Sequence, residues 1–437
     1  MKNLRALFFL FAANTVSGFA QGITMLAIPW YMVSELGEAN GKLQLTLIVA
    51  AITVLSLFWG LYAGTLIDKY NRKYIFLGLN GIDFLILVTA GFLGMYFKDG
   101  SPNILIGIMA GVYCVTVFTY NVHYPNLYAF VQELFEPRFY EKVNSAVELQ
   151  GQFTNALGMF CGGVLLVGSQ QIGDWWPEAW AFESWELYEI FWLDGSTYLL
   201  SVFLLSMIPY KRAAGAKIDK GPVLQRLKQG FDYLLKKKPL LIFGICAHLI
   251  FFALLVIIQV VLAIYVSDYL KGDAYDMARF KGMYAIGAVF AGFIGLFFLS
   301  RKNDPIIQVI VLLGIAGLSF ITMAVTQSVV FTLGIAFLIG ICNAGARIIR
   351  ITYIIRIVPN RVVGRVNSFF MVVNVAIRFL FLLILTLPFF SGKENGENIV
   401  WALGLLGIIC FAGGLILILR FKSFERTPEL ININVES

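Results

Sequence analysis

The chain of 437 residues is too apolar for a water-soluble protein: 59% of its residues are hydrophobic, 14% are charged, and its mean hydropathy is +0.80. Soluble domains carry about 25% charged and about 45–50% apolar residues, so most of this surface must face lipid. The five cysteines stand in separate apolar stretches, which excludes a disulfide framework and a C-x-x-C metal or redox site. We therefore predict an all-α integral membrane protein.

Twelve apolar stretches are long enough to cross a bilayer, which takes roughly 20 mostly apolar residues per helix. The first begins after Arg5, and it is too long for a secretory signal peptide and lacks a small-residue cleavage site, so we expect it to remain as a span. The predicted spans are 6–33, 45–67, 74–97, 102–131, 146–169, 190–209, 240–267, 280–299, 305–326, 328–354, 366–389 and 397–420.

Lysine and arginine mark one side of the membrane. With both termini in the cytoplasm, most of the 33 lysines and arginines lie in or beside cytoplasmic segments, as the positive-inside rule requires. The net charge of +7 is therefore a signal of membrane orientation, and we expect no nucleic-acid partner. The predicted outer loops carry six basic residues: Lys42, Lys98, Lys271, Arg279, Lys281 and Lys393.

The longest predicted cytoplasmic loop separates six spans from six. Apolar residues recur in it at helical spacing, Phe231 and Leu234 among them, with lysines around them. This pattern predicts an amphipathic helix at the membrane surface, and a solvated basic linker is the alternative. The predicted domains are an N-terminal six-helix bundle at 1–210, this linker at 211–239, a C-terminal six-helix bundle at 240–421 and a cytoplasmic tail at 422–437.

A short internal repeat supports the six-plus-six arrangement. The residues K-V-N-S, from Lys142 to Ser145, open the fifth predicted span, and R-V-N-S, from Arg365 to Ser368, opens the eleventh. The two copies occupy equivalent places in the two halves, as in many transporters that are built from repeated halves.

The loop between the second and third predicted spans carries a recognisable motif. From Gly64 to Lys73 it reads G-T-L-I-D-K-Y-N-R-K, which resembles the G-x-L-a-D-R-x-G-R-K signature of the major facilitator superfamily. Asn71 replaces a glycine, and Asn tolerates the left-handed backbone that glycine supplies. The resemblance implies a gating motif made of Gly64, Asp68, Arg72 and Lys73. From its place in the loop, we expect Arg72 to pair with Glu133 or Glu136 at the end of the fourth span.

This resemblance implies twelve helices in two pseudo-symmetric six-helix bundles, which rock about a central cavity so that it opens to one side of the membrane at a time. The G-R-V-N-S run from Gly364 and the K-K-K-P sequence that ends the linker resemble the macrolide-efflux and siderophore-exporter branch. The resemblance further implies a monomer in the cytoplasmic (inner) membrane of a bacterium.

Ionisable side chains at membrane depth are costly and are candidates for function. Asp83 and His123 are predicted at similar depths in consecutive spans, which would allow a proton-carrying pair; a structural hydrogen bond between spans is the alternative. Glu148 is the second candidate for proton coupling. Together with Ser145 it also fits a helix-capping box, so a structural role stays open.

Other polar residues fall on single faces of predicted spans and are candidates for a solute cavity. They are Asn14 and Gln21 in the first span, Gln152 and Asn155 in the fifth, and Asn374 and Arg378 in the eleventh. An arginine inside the bilayer needs an anion. For Arg378 that anion is either a group of the solute or a carboxylate that locks the two halves together.

These patterns predict a secondary active transporter that exports a small amphipathic solute in exchange for protons. The arginines within the spans leave room for a solute that is anionic or zwitterionic. Uptake by proton symport is the alternative within the same class. A membrane-embedded enzyme or a receptor is the alternative from a different class. The sequence contains no P-loop and no metal-binding or catalytic motif that we recognise, so we expect no cofactor, no bound metal and no enzymatic activity.

Overall fold

The computed structural model describes residues 4–36, 40–135, 140–169, 177, 180–210, 223–298, 304–391 and 396–425. Within these ranges the chain is helical and contains no β-strand. The helices are α1 Leu4–Ser34, α2 Gly41–Lys69, α3 Arg72–Phe97, α4 Pro102–Leu134, α5 Tyr140–Val167, α6 Leu187–Ser206, α7 Val223–Lys236, α8 Lys238–Val256, α9 Leu262–Ile264, α10 Ala274–Phe298, α11 Pro305–Val325, α12 Val329–Ile357, α13 Asn360–Leu385, α14 Pro388–Ser391 and α15 Ile399–Glu425.

Twelve long helices in these ranges coincide with the twelve predicted spans, so the prediction of an all-α chain is confirmed. Nine helices of the described chain contain an apolar stretch long enough to cross a membrane. Several helices extend past the predicted span: α5 begins at Tyr140 rather than 146, and α12 ends at Ile357 rather than 354. The difference arises because hydropathy detects the apolar part of a helix, whereas backbone hydrogen bonding continues into its polar ends.

Side chains before the first turn explain where three helices begin. The first backbone N–H groups of a helix have no partner inside the helix, and a short polar side chain can accept their hydrogen bonds. The side chain of Asn71 accepts from Lys73 and Tyr74 at the start of α3. In the same way, Asp304 caps α11 and Ser328 caps α12.

The chain forms two compact units. Unit 1 consists of Met1–Asp219, Val266–Gly282 and Ser391–Lys393, and unit 2 consists of Lys220–Tyr265, Met283–Phe390 and Glu394–Ser437. The segment Val266–Gly282, which follows the seventh predicted span, therefore packs within unit 1, although in chain order it falls in the predicted C-terminal bundle at 240–421.

Close packing holds that segment in unit 1. A Cβ atom added at Gly163 of α5 would lie 2.4 Å from the Cβ of Ala278 in α10, so only glycine allows this approach. Val164 and Val167 of α5 form an apolar cluster with the buried Ala274 of α10. The start of α10 is thus fixed to α5 by both backbone proximity and apolar contact.

The seventh span, which begins in unit 2, does not remain an α-helix along its whole length. After α8 the chain forms π-helical turns at Ile257–Val261 and Tyr265–Tyr269, with α9 between them. The hydroxyl group of Tyr265 donates to the carbonyl oxygens of Met323, at 2.8 Å, and Thr326, at 3.2 Å. The division between the two units falls directly after Tyr265.

The amphipathic helix predicted within 211–239 is α7, and residues 211–222 lie outside the described part of the chain. It packs against the first turns of α13 in unit 2. Leu234 is completely buried there, in a cluster with Leu240 of α8 and Val366 and Phe370 of α13. The predicted tail is described only as far as residue 425.

Candidate functional site

Arg72 and Lys73 of the predicted gating motif join the ends of three helices in unit 1. The Arg72 guanidinium group, at the start of α3, lies 3.2 Å from the Glu133 carboxylate in α4 and donates to the carbonyl oxygen of Ala129. The Tyr210 hydroxyl group donates to the same carboxylate. The predicted pairing of Arg72 with Glu133 is therefore present.

Three further hydrogen bonds strengthen this connection. The side-chain amide of Asn126 in α4 donates to the backbone carbonyl of Arg72 at 2.9 Å. The Lys73 ammonium group donates to the carbonyl oxygens of Ser206, at 2.8 Å, and Ile208, at 2.7 Å, where α6 ends. The surroundings of Gly64, the side chain of Asp68 and the whole of Glu136 lie outside the described part of the structure.

A chain of polar contacts connects α1, α4 and α5 inside unit 1. The Oδ1 atom of Asn14 lies 3.0 Å from Nε2 of His123, and its Nδ2 atom donates to Oε1 of Gln150 at 3.2 Å. The Gln150 amide in turn donates to the carbonyl oxygen of Phe11 at 2.6 Å and to the hydroxyl group of Thr15. Gln150 was absent from the predicted site residues.

Two carboxylates are also buried in unit 1. Asp83 of α3 has 2% of its surface exposed and Asp194 of α6 has none. Thr119 of α4 donates to Oδ1 of Asp83 at 2.9 Å, and Thr24 of α1 donates to Oδ2 of Asp194. The other oxygen of each carboxylate has no hydrogen-bond partner in the described structure.

Asp83 and Asp194 lie close enough for their charges to interact with each other. Both also lie within electrostatic range of the Tyr198 hydroxyl group of α6. Among the described residues, no lysine, arginine or histidine forms an ion pair with either carboxylate. Buried carboxylates of this kind are stable only when a proton or a cation neutralises them. The pair is therefore the strongest candidate for cation coupling in the described chain.

Asp83 and His123 have different partners, although both lie in unit 1. Asp83 bonds to Thr119, one helical turn before His123 on α4, and His123 bonds to Asn14 and packs on the ring of Phe76. The sequence places the two groups at similar depth but does not give the rotation of α3 about its axis.

Asp194 was missed, although an acidic residue inside the sixth apolar stretch is the same signal that identified Asp83.

The remaining cavity candidates of unit 1 differ in exposure. Gln21 is buried, Gln152 is exposed, and Asn155 is half-buried. The side chain of Glu148 lies outside the described part of the structure.

In unit 2, Asn374 lines a small pocket between α8 and α13. Its amide nitrogen is buried and has no hydrogen-bond partner among the described residues. Arg378 follows one turn later and is buried. His248 of α8 lies opposite and bonds to the Gly244 carbonyl at 2.6 Å. The pocket is lined by Ile245, His248, Leu249, Phe252, Phe370, Val373, Asn374 and Ile377.

Two lysines assigned to outer loops are buried in unit 1. Lys42, at the start of α2, forms an ion pair with Asp268, and the two side chains are 9% and 15% exposed. The Lys281 ammonium group of α10 donates to the Met25 carbonyl of α1 at 3.3 Å. The distribution of charges in the sequence assigns these lysines to loops but does not predict that they are buried. Their burial depends on the packing of Val266–Gly282 within unit 1.

Comparison with known proteins places the chain in a family. The sequence model of the Major Facilitator Superfamily matches residues 10–382. A search among curated protein sequences found no match. Among solved structures, the nucleoside transporter NupG is similar with a TM-score of 0.69 at 13% identity, covering 94% of this chain and 99% of that one.

Two further structures have the same fold. A bacterial homologue of the iron transporter ferroportin, in an inward-facing state, has a TM-score of 0.67 at 15% identity, covering 94% of this chain and 99% of that one. The xylose transporter XylE from E. coli has a TM-score of 0.63 at 16% identity, covering 94% and 95%. The chain therefore belongs to the major facilitator superfamily, and it is a multi-pass membrane protein with the fold of a secondary transporter.

Proposed function

We propose that the protein exports a small amphipathic solute across a bacterial cytoplasmic membrane by alternating access, in exchange for protons that enter the cell. The observation that carries the proposal is the pair of buried carboxylates, Asp83 and Asp194, without a basic partner in the described chain.

Burial makes the charge state of this pair depend on its surroundings. Removing an ionised carboxylate from water is expensive, so a buried one favours the protonated form. When the same group is opened to water, the cost disappears and the proton can leave. A conformational change that alters the hydration of Asp83 and Asp194 would therefore bind protons on one side of the membrane and release them on the other.

The threonine partners are compatible with both the ionised and the protonated form of each acid. An ionised carboxylate only accepts hydrogen bonds, whereas a protonated one also donates. Thr119 and Thr24 donate to one oxygen of each acid, and the oxygen that has no partner is available to carry a proton. Because Asp83 and Asp194 lie on α3 and α6 and their partners on α4 and α1, protonation would change contacts among four helices.

The nature of the solute is inferred from unit 2. Arg350 and Arg378 are buried, and the Arg350 guanidinium group donates to the Ala247 carbonyl at 3.1 Å. Together with the amide of Asn374, these cations suit a solute that has an anionic or zwitterionic group on an apolar body. The direction rests on the resemblance of the Gly364 run to the efflux branch. Uptake by proton symport is the alternative direction.

Flux measurements in proteoliposomes test the proposal. The purified chain would be reconstituted with an imposed pH gradient and screened with lipophilic drugs, siderophores and lysolipids. We expect the gradient to drive at least one compound in the direction opposite to proton flow. Flow of solute and protons in the same direction would establish symport, and no gradient-driven flux of any compound would contradict the proposal.

Substitution of the two acids isolates their role. In Asp83→Asn and Asp194→Asn we expect solute exchange down its own gradient to persist and acceleration by the pH gradient to be lost. Asp99 is exposed and follows the end of α3, so Asp99→Asn is the matched control and should behave as the wild type. Full proton dependence in both variants would remove this pair from the coupling mechanism.

A further inference from the structure

Helix α7 has one face that is fixed to the protein. A Cβ atom added at Gly230 would lie 2.4 Å from the backbone oxygen of Arg365 in α13, so the two helices are in backbone contact at this point. Leu234, one turn later on the same face, is completely buried. This face accounts for the attachment of α7 to unit 2.

The adjoining face of α7, about 100° further round the helix, exposes apolar side chains. Phe231 is 40% exposed and Leu235 is 44% exposed, and they lie one helical turn apart. The ring of Phe231 stacks on Phe369 of α13 at 5.2 Å between centroids, which leaves its other face free of that contact. Apolar side chains in this arrangement favour a non-aqueous neighbour.

The position of this face in the chain indicates what covers it. Helix α7 ends at Lys236, and the apolar span that starts with α8 begins at Lys238. Leu235 is thus only three residues from the point at which the chain enters the bilayer, a distance of roughly 10 Å at most. The exposed apolar pair therefore lies at the depth of the membrane surface, where lipid is the available neighbour.

The lysines around the apolar pair indicate which lipid headgroups this surface binds. Four lysines surround the apolar pair: Lys228, Lys236, Lys237 and Lys238. None of them forms an ion pair within the described part of the chain. Asp232 is the acidic residue on the same helix. A basic amphipathic surface of this kind favours anionic headgroups over zwitterionic ones.

We infer that α7 and the lysines at its end form a binding surface for anionic phospholipids in the leaflet that α8 enters. Phe231 and Leu235 insert among the upper parts of the acyl chains, and Lys236, Lys237 and Lys238 bind the headgroup phosphates. Because Gly230 fixes α7 to α13, occupation of this surface holds the start of the helix that carries Asn374 and Arg378. The inference does not depend on the transported solute or on its direction.

A spin label tests the insertion. The full chain, with its five native cysteines replaced by serine, would carry a label at Leu235→Cys and be reconstituted in nanodiscs. One set would contain phosphatidylcholine alone and the other a mixture with phosphatidylglycerol. We expect the label to be more accessible to oxygen than to a water-soluble nickel chelate, and the difference to grow with phosphatidylglycerol.

The charge requirement is tested in the same chain. Replacing Lys236, Lys237 and Lys238 together with glutamine should lower the preference for phosphatidylglycerol over phosphatidylcholine at least about fivefold, since one basic residue near an anionic surface contributes about that factor. Native mass spectrometry of the bound lipids measures the preference. The triple arginine variant keeps the charges and should keep the preference, which separates loss of charge from loss of folding.

Three outcomes would overturn the inference. The first is a label that is accessible to the nickel chelate in both membranes. The second is a label that is immobilised and insensitive to lipid, which would point to a protein partner. The third is an unchanged lipid preference in the glutamine variant. Since none of these measurements uses transport, they are independent of the proton-coupling proposal.

Discussion

Corresponding helix contacts are made differently in the two units. In unit 1, α1 meets α5, the first and fifth spans, through glycines: a Cβ atom at Gly158 would lie 1.8 Å from the backbone oxygen of Phe19, and one at Gly22 would lie 2.3 Å from that of Asn155. In unit 2, the seventh and eleventh spans, α8 and α13, also meet at a glycine. There a Cβ atom at Gly244 would lie 2.0 Å from the ring of Phe370.

The difference separates a fixed contact from an adjustable one. Backbone atoms cannot move aside without moving a whole helix, whereas an aromatic ring can change rotamer. The ring of Phe370 stacks on His248 at 5.3 Å and lines the pocket that contains Asn374. Unit 1 therefore has a rigid α1–α5 contact beside its buried acids, and unit 2 has a side-chain contact beside its pocket.

The largest expected effect is at the backbone contact. Gly158→Leu should destabilise unit 1 by more than about 3 kcal/mol, because overpacking costs about 1–3 kcal/mol even where side chains can adjust. We expect little monodisperse protein after extraction and a clearly lower unfolding temperature. Fluorescence-detected size exclusion with a thermal ramp measures both.

Gly78→Ala in α3 is the matched control for this prediction. A Cβ atom at Gly78 meets no other atom within 4 Å. Its substitution should leave the unfolding temperature unchanged or slightly raised, because alanine favours a helix. Normal yield and stability of Gly158→Leu would show that α1 and α5 are not held by backbone contact.

A smaller effect is expected where α1 meets α6. Thr24→Val keeps the shape of the side chain but removes the hydroxyl group that donates to Asp194. The buried carboxylate then loses its one donor among the described residues, and loss of a partner for a buried polar group costs about 1–3 kcal/mol. Thermal unfolding of the purified chain measures the loss.

Thr24→Ser retains the hydroxyl group and is the control for Thr24→Val. It should recover most of the lost stability, since the methyl group makes a smaller contribution than the hydrogen bond. Equal stability of the valine variant and the wild type would mean that Asp194 does not depend on this donor.

The helices and the motif between α2 and α3 were predictable because their signals are local. Runs of apolar residues indicate the spans, and the motif from Gly64 to Lys73 marks the connection after which α3 begins at Arg72. Arg72 pairs with Glu133 as expected, since α3 and α4 are consecutive and antiparallel neighbours meet at their ends.

The buried pairs were not predictable because they depend on helix rotation and on long-range packing. Thr24 and Asp194 are 170 residues apart, and nothing local relates them. Lys42 and Asp268 belong to different predicted halves, so the sequence gives no reason to expect that they form an ion pair. Such pairs follow from the arrangement of helices within a unit, which a single sequence leaves open.

The smallest effect is expected at the adjustable contact. Phe370→Leu shortens a buried ring and should cost about 1.5 kcal/mol or less, because neighbouring side chains can fill part of the space. A thermal ramp on the purified variant measures this cost. A loss as large as that in Gly158→Leu would mean that the ring is as fixed as the backbone contact in unit 1.

A double-mutant cycle turns this result into a direct comparison of the two contacts. Gly244→Ala alone should be destabilising, because the new methyl group meets the ring of Phe370. In the Phe370→Leu background the obstructing atoms are gone, so Gly244→Ala should become nearly neutral, a coupling of about 1 kcal/mol or more. The same cycle in unit 1, Gly158→Ala with Phe19→Ala, should show no rescue, because the obstructing atom is the Phe19 backbone oxygen, which alanine retains.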